Sequence, residues 1–168
     1  VHDGVGAGVR EAEGAADGHA TAESGVLLAV TVADCVPVYL LDPDARAVAL
    51  LHAGWRGTAA GILPHGIALL SQRWGTEPVD LLVHLGPAIC GECYEVGPEV
   101  FEALGLEAPP DPAPVDVRVA LARQARAAGV PTESVSVSDV CTLCGDRNLF
   151  SHRAGRTERQ VAVVGILP

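Results

Sequence analysis

Short runs of apolar residues, separated by turn residues, dominate the first half of the chain. Residues 26–32, 36–41 and 47–51 are rich in Val, Leu and Ala, and their length and flanking residues predict three buried strands. An Asp-Pro-Asp-Ala turn at 42–45 separates the last two, where Pro presets φ and Asp can bond its own backbone. We therefore expect residues 36–41 and 47–51 to pair as an antiparallel hairpin.

The rest of the pattern mixes helices and strands. Thr58 can cap a helix that runs to Trp74 and stops at Gly75, and another helix is predicted to begin at Pro98. The segment at 3–25 has little periodicity, which predicts a loop. Because hairpins come early and no regular β-α-β alternation follows, the order of elements favours an α+β fold with mixed sheets. The remaining predicted elements are a helix over 115–128 and strands over 79–85, 135–137 and 160–166.

The amino-acid composition mainly excludes classes of protein. The 168 residues and 49% hydrophobic content suit one domain over 1–168, and no apolar stretch reaches the ~18 residues of a membrane helix. The net charge of -10, with eleven cations that are all Arg, argues against nucleic acid as a partner. The absence of Lys excludes Schiff-base catalysis and a GxxxxGK[ST] phosphate loop. Five Cys without an export signal indicate the reducing cytoplasm, where thiols serve metals or catalysis.

A thiol and an imidazole are predicted to meet at one end of the hairpin. Cys35 precedes the second strand and His52 follows the third, so antiparallel pairing places them at the same end of neighbouring strands. Such a pair either acts as nucleophile and base or binds a transition metal such as zinc, unless it is an ordinary core Cys beside a strand-end His. Gly54 and Gly57 flank Arg56, which indicates either backbone close to a bound phosphate or a simple turn.

Five motifs follow one another over most of the chain. They are Ala-Asp-Cys at 33–35, His-Ala-Gly-Trp-Arg-Gly at 52–57, Leu-Gly-Pro at 85–87, Cys-Tyr-Glu-Val-Gly at 93–97 and Phe-Ser-His-Arg at 150–153. Together they resemble the YfiH family, whose members are also called laccase-like multi-copper polyphenol oxidases, peptidoglycan editing factors or zinc-dependent purine nucleoside phosphorylases. The resemblance implies mixed sheets packed as a sandwich with helices outside, a fold related to bacterial toxin deamidases. It also implies an N-terminal truncation, because relatives carry several dozen residues before the Val-His motif with which this chain begins.

The resemblance implies a chemistry as well. Family members hold one zinc with two His and one Cys, which fall here on His2, Cys35 and His52. Three protein ligands leave one tetrahedral position open, as in catalytic zinc sites. The implied reaction is phosphorolysis of adenosine, inosine or methylthioadenosine to the base and a ribose 1-phosphate, with adenosine deamination in addition. The expected partners are therefore a purine nucleoside and phosphate.

Further residues are candidates for catalysis or substrate contact. With Cys35 and His52, the candidate catalytic residues include Arg56 as a phosphate cradle and Asp34 as an acid–base or metal-orienting group. An Asp at a strand end is as often a cap, so both interpretations of Asp34 stay open. The candidate substrate-binding residues are Arg56, Tyr94, His152 and Arg153, against the alternative of loop residues without a ligand.

The other four cysteines form two pairs, Cys90-x-x-Cys93 and Cys141-x-x-Cys144. This spacing is typical of a four-thiolate structural zinc, although the gap between the pairs is unusually long. If the two loops meet in the fold, a second metal could join them, and a disulfide is the oxidised alternative. The zinc site that the resemblance implies uses neither pair.

Three other functions compete with the nucleoside enzyme. A laccase-like copper oxidase needs more His ligands for its copper sites than the six in this chain, which makes copper the weaker metal candidate. A Cys–His hydrolase or amidase that edits peptidoglycan precursors would use Cys35 and His52 without metal. A metal-stabilised binding module without catalysis would have a fully ligated zinc and no open cleft.

Overall fold

A computed structural model describes residues 16–145 and 148–168, together with the backbone of residues 2–3. Within these residues lie a main sheet, a two-stranded ribbon, a short strand pair and four helices. The strands are β1 (His2–Asp3), β2 (Gly18–Thr21), β3 (Leu27–Val32), β4 (Val36–Asp42), β5 (Ala47–Ala53), β6 (Leu82–Leu85), β7 (Glu95–Val96), β8 (Ala113–Pro114), β9 (Val135–Val137) and β10 (Gln160–Gly165). The helices are α1 (Trp55–Ala59), α2 (Ile62–Trp74), α3 (Pro98–Ala103) and α4 (Val117–Ala127).

The main sheet has six strands in the order β1-β2-β5-β4-β6-β9. Its outer strands, β1 and β9, run parallel to their neighbours, and the inner pairs are antiparallel. The predicted hairpin is confirmed as β4 and β5, with Val36 opposite Ala53. Its turn is closed by the Asp42 carboxylate, which accepts the backbone N–H groups of Asp44 and Ala45 at 3.0 and 2.9 Å. The α+β class with mixed sheets is therefore confirmed.

Both faces of the main sheet are covered, which explains why its central strands are apolar almost throughout. On one face, the buried side chains of Val38, Leu40 and Leu51 belong to the main core, which also includes residues of α2 and α4. On the other face lies the antiparallel ribbon of β3 and β10, which joins Leu50 and neighbouring residues of β5 in a second core. The sheets are thus stacked and the helices lie outside, as the resemblance implies.

The structure corrects three predictions. The single helix predicted over 58–74 is two helices, because Gly61 between α1 and α2 adopts a left-handed φ of 76°. The loop predicted over 3–25 contains β2, whose short run gains its regular structure from pairing with β5. The strand predicted over 79–85 begins only at Leu82, after a 3-10 turn at Pro78–Asp80. No helix in the described ranges is long and apolar enough to cross a membrane.

Candidate active site

Cys35 and Gly54 meet where the β4–β5 hairpin opens at the edge of the sheet. Cys35 directly precedes β4, and Gly54 directly follows β5. A Cβ atom on residue 54 would lie 2.9 Å from the Cys35 sulfur, closer than side chains normally approach. The Gly-Trp-Arg-Gly segment therefore begins with glycine because the thiol occupies the space that a side chain would need.

His52 lies on the same hairpin, opposite Pro37 and half-buried. Its backbone N–H donates to the Asp17 carbonyl at 2.7 Å, and its Nδ1 lies 3.4 Å from the Asp17 carboxylate. A carboxylate beside one ring nitrogen fixes the orientation of an imidazole and leaves the other ring nitrogen to bind a metal. The side chain of His52 is thus arranged as the side chain of a metal ligand or a general base would be, at the same end of the hairpin as Cys35.

The surroundings of Cys35 are both apolar and negatively charged. Burial raises the pKa of the Cys35 thiol above its usual value, and the carboxylates of Asp34 and Asp17 raise it further, against a smaller opposing effect of Arg159. These influences favour the neutral thiol, so the thiolate needs a cation to stabilise it. The electrostatics therefore suit a metal ligand better than a free nucleophile.

A pocket of about 330 Å³, including its open mouth, extends from Cys35. The residues that line it include Asp34, the aromatic residues Trp55 and Tyr94, and the apolar Ile89. Aromatic side chains beside a small number of polar groups are typical of pockets that hold an aromatic ligand. Trp55 was not among the site residues predicted from the sequence, although it directly precedes Arg56 in the same motif.

Two arginines stand beside the aromatic side chains of this pocket. The Arg153 guanidinium lies 5.0 Å from the centre of the Tyr94 ring and donates two hydrogen bonds to the Glu95 carbonyl, each at 3.1 Å. The Arg56 guanidinium lies 4.3 Å from the centre of the Trp55 ring. Burial raises the pKa of the Tyr94 hydroxyl and both guanidinium groups act to lower it, so both cations influence the same part of the pocket. Arg56 and Arg153 therefore give its edge a positive charge.

Asp34 joins three segments of the chain. Its Oδ1 accepts the Thr142 hydroxyl at 2.7 Å, and its Oδ2 accepts the backbone N–H of Arg153 at the same distance. Its φ of 76° is in the left-handed region, which Asp tolerates better than most residues. With both oxygens engaged, Asp34 holds two loops against Cys35. Sequence inspection did not reveal Thr142, because its contact spans 108 positions along the chain.

For the two remaining candidates, His2 and His152, the described contacts are those of the backbone. His2 lies in β1, where its backbone pairs with His19 of β2. Its side chain is outside the described residues, so the ligand set His2, Cys35 and His52 stays a prediction. His152 is exposed in the turn that Arg153 shares, and its carbonyl accepts the N–H of Gly155.

The two CxxC pairs do meet in the fold. The sulfur atoms of Cys90, Cys93, Cys141 and Cys144 all lie within 4.8 Å of one another, and within the described ranges they are the only group of three or more residues that could hold a metal. The loops that carry them follow β6 and β9, which are parallel neighbours and so deliver their carboxyl ends to one edge of the sheet. Burial would raise the pKa of Cys141, but the backbone N–H groups of Cys144, Cys90 and Leu143, together with the Cys90 side chain, outweigh it and lower this pKa to about 6.

Comparison with known proteins places this architecture in a family. The family model described as "Multi-copper polyphenol oxidoreductase laccase" matches residues 1–167. A protein of Geobacillus stearothermophilus named purine nucleoside phosphorylase YlmD is 43% identical over 162 residues, which are 89% of this chain and 59% of that protein. Adenosine deaminase RL5, from an unknown prokaryotic organism, is 36% identical over 157 residues, which are 84% of this chain and 60% of that protein. The chain thus spans about three fifths of the length of these relatives.

A solved structure agrees with these sequence matches. The crystal structure of the hypothetical protein YfiH from Bacillus licheniformis superposes with a TM-score of 0.85 at 32% identity, over 90% of this chain and 62% of that one. The match to the family model, the relatives and the shared fold all agree with one another. The chain belongs to the multi-copper polyphenol oxidoreductase laccase family, which includes the YfiH proteins.

Proposed function

We propose that this chain carries the active site of a zinc-dependent purine nucleoside enzyme. The reaction is phosphorolysis of adenosine, inosine or methylthioadenosine to the base and a ribose 1-phosphate, together with deamination of adenosine. The observation that carries the proposal is the pocket at Cys35, which Trp55 and Tyr94 line beside the thiol, with a guanidinium group over the ring of each. The names of the relatives at 43% and 36% identity support the same reactions. A cytoplasmic location suits both the substrate and the free thiols.

The donor set fits zinc. His2, Cys35 and His52 would hold the ion, since thiolate and imidazole are good zinc ligands and three of them leave one position open. The Asp17 carboxylate beside Nδ1 of His52 is the usual supporting partner of a zinc-bound His. The two carboxylates that disfavour a bare thiolate at Cys35 also favour a bound divalent cation. When bound, zinc would supply a Lewis acid at the thiol end of the pocket.

The other residues bind and orient the substrates. Trp55 and Tyr94 offer flat surfaces for a purine ring, and Ile89 excludes water from one side. Arg56 and Arg153 provide the positive charge that holds phosphate against the ribose. Asp34 is a positioning residue, because its two oxygens hold Thr142 and Arg153 in place.

The residues around Cys35 fit the competing functions less well. A thiol hydrolase needs a thiolate without a metal, yet Cys35 is half-buried and lies near two carboxylates that raise its pKa. A multi-copper oxidase would have to build its copper sites from the six His of the chain. A purely structural zinc would not need an open pocket at its ligand.

The test is a product analysis with the purified 168-residue chain, loaded with zinc. Inosine with phosphate is expected to yield hypoxanthine and ribose 1-phosphate, and adenosine is expected to yield adenine and inosine, read by chromatography. Omission of phosphate should remove the phosphorolysis products but leave deamination. The relative YlmD from Geobacillus stearothermophilus, assayed in parallel, is the positive control for conditions.

Each outcome distinguishes the candidates. Activity that disappears on chelation and returns with zinc supports the proposal. Amide hydrolysis that survives chelation and is stopped by thiol alkylation would favour the Cys–His hydrolase, and phenol oxidation by copper-loaded protein would favour the laccase. If zinc-loaded chain releases neither base nor inosine while the control does, the proposal is wrong for this chain.

A further inference from the structure

The cluster of four cysteines is separate from the residues that line the pocket, and its geometry matches that of a metal cage. The Cys90 and Cys144 sulfur atoms are 3.8 Å apart, and all the sulfur pairs in the cluster are within 4.8 Å. Four thiolates placed tetrahedrally at about 2.3 Å from a zinc ion lie about 3.8 Å from one another. The sulfur atoms are therefore already close to the positions that such an ion requires, and none of the four cysteines is joined in a disulfide.

The backbone around the cluster is arranged to receive negatively charged sulfur. The N–H groups of Cys90, Leu143 and Cys144 all point at the Cys141 sulfur, at 3.3, 3.3 and 3.5 Å. A neutral thiol is a weak acceptor, whereas a metal-bound thiolate gains from such donors. Gly145 closes the second CxxC loop, where a Cβ atom would collide with the Cys141 carbonyl. Glycine is thus the residue that this tight loop requires.

The two loops are also fixed from outside. Ala88 forms an isolated β-bridge with Cys141, and the Ala88 carbonyl accepts the backbone N–H of Thr142 at 3.1 Å. The Arg118 guanidinium donates to the Ser138 and Val140 carbonyls at 2.8 and 3.4 Å, just before the second CxxC pair. Arg118 is almost fully buried and paired with Asp116, so it anchors this segment to α4. The sulfur atoms are therefore preorganised by the fold rather than gathered by chance on a surface loop.

We propose that Cys90, Cys93, Cys141 and Cys144 bind a structural zinc ion, independent of the ion in the proposed active site. A tetrahedral set of four thiolates selects zinc or iron among the common metals. Four protein ligands leave no open position, so this ion joins the loops after β6 and β9 and takes no part in the reaction. The proposal stands on the cluster alone and does not depend on the nucleoside activity.

The test counts zinc in two matched variants. The fifth cysteine allows the sites to be separated, since Cys35→Ser removes a ligand of the active site and leaves the cluster intact. We expect Cys35→Ser, purified under reducing conditions, to retain one equivalent of zinc by elemental analysis. In the same background, Cys144→Ser should lose that equivalent. Its melting temperature should fall by more than about 10 °C, because metal affinity at a structural site is also folding energy.

Two further measurements keep the result decisive if Cys144→Ser folds poorly. X-ray absorption of zinc-loaded Cys35→Ser should give four sulfur neighbours at about 2.3 Å. Cobalt substituted into the same variant should give the intense thiolate-to-metal charge-transfer absorption of a four-sulfur site. Fewer than three sulfur neighbours, stoichiometric iron in place of zinc, or a disulfide that links cluster cysteines in protein kept under reducing conditions would overturn the proposal.

Discussion

The chain has two groups of thiols, and they differ in how they are built. Cys35 stands alone at the end of a hairpin, beside an open pocket and flanked by the carboxylates of Asp34 and Asp17. The four-cysteine cluster is closed on itself, and backbone N–H groups point at its most buried sulfur. An open site with few thiols leaves space for substrate, whereas a closed site with four thiols contributes stability. Cysteine sulfur can therefore serve two purposes in one fold: it can stand at an open site or stabilise a closed one.

Loss of one sulfur atom should affect the two groups of thiols in opposite ways. We predict that Cys35→Ser lowers kcat/KM for inosine phosphorolysis by more than about 100-fold, beyond the loss typical of a mere supporting contact. Its melting temperature should change little, because the cluster remains. Cys141→Ser should do the reverse and chiefly lower the melting temperature, measured by calorimetry. A Cys35→Ser protein that keeps its activity would show that the open site does not depend on this thiol.

Gly54 tests whether the position of the Cys35 sulfur matters beyond its presence. We expect Gly54→Ala to lower kcat/KM and zinc affinity at this site by more than about 10-fold, because the new Cβ would stand 2.9 Å from the sulfur and displace it. The backbone of Gly54 is extended, so alanine adds no backbone strain. Gly57→Ala is the matched control, since its Cβ would meet nothing closer than 3.6 Å. Equal losses in both variants would contradict the steric explanation.

Sequence and structure differ in what they reveal about these two regions. The hairpin and its end were predictable, because the short apolar runs and the turn at 42–45 determine which residues lie opposite one another. The roles of Asp17 and Thr142 were not, since each depends on contacts between segments far apart in the chain. The CxxC pairs were recognisable by spacing, but their meeting required the parallel pairing of β6 with β9, which no local pattern reveals.

Arg153 and Arg156 offer a test of the positive edge of the pocket. Arg153 lies over Tyr94, which lines the pocket, whereas Arg156 lies over Phe150 and pairs with Glu158. We expect Arg153→Ala to raise KM for phosphate about 10-fold, the size of one lost hydrogen bond to a charged group. Arg156→Ala should leave it unchanged, and Arg153→Lys should restore part of the loss. Initial rates at varied phosphate concentration measure the effect.

Thr142 links the two regions, since it lies within the second CxxC pair and donates its hydroxyl to Asp34 beside Cys35. Thr142→Val keeps the shape but leaves one oxygen of Asp34 without this partner, at a cost of about 1 kcal/mol or more. We therefore expect a roughly five-fold fall in kcat/KM. Thr142→Ser, which keeps the hydroxyl, should approach the activity of the unmodified chain.

The zinc content of Thr142→Val distinguishes an effect on the Asp34 contact from an effect on the cluster. Thr142→Val should keep its cluster metal, because its sulfur ligands and their backbone donors are unchanged. A loss of activity with full metal content would place the effect in the Asp34 contact, through which the closed site positions the open one. A loss of activity only when the cluster metal is also lost would mean that the two regions communicate through general stability instead.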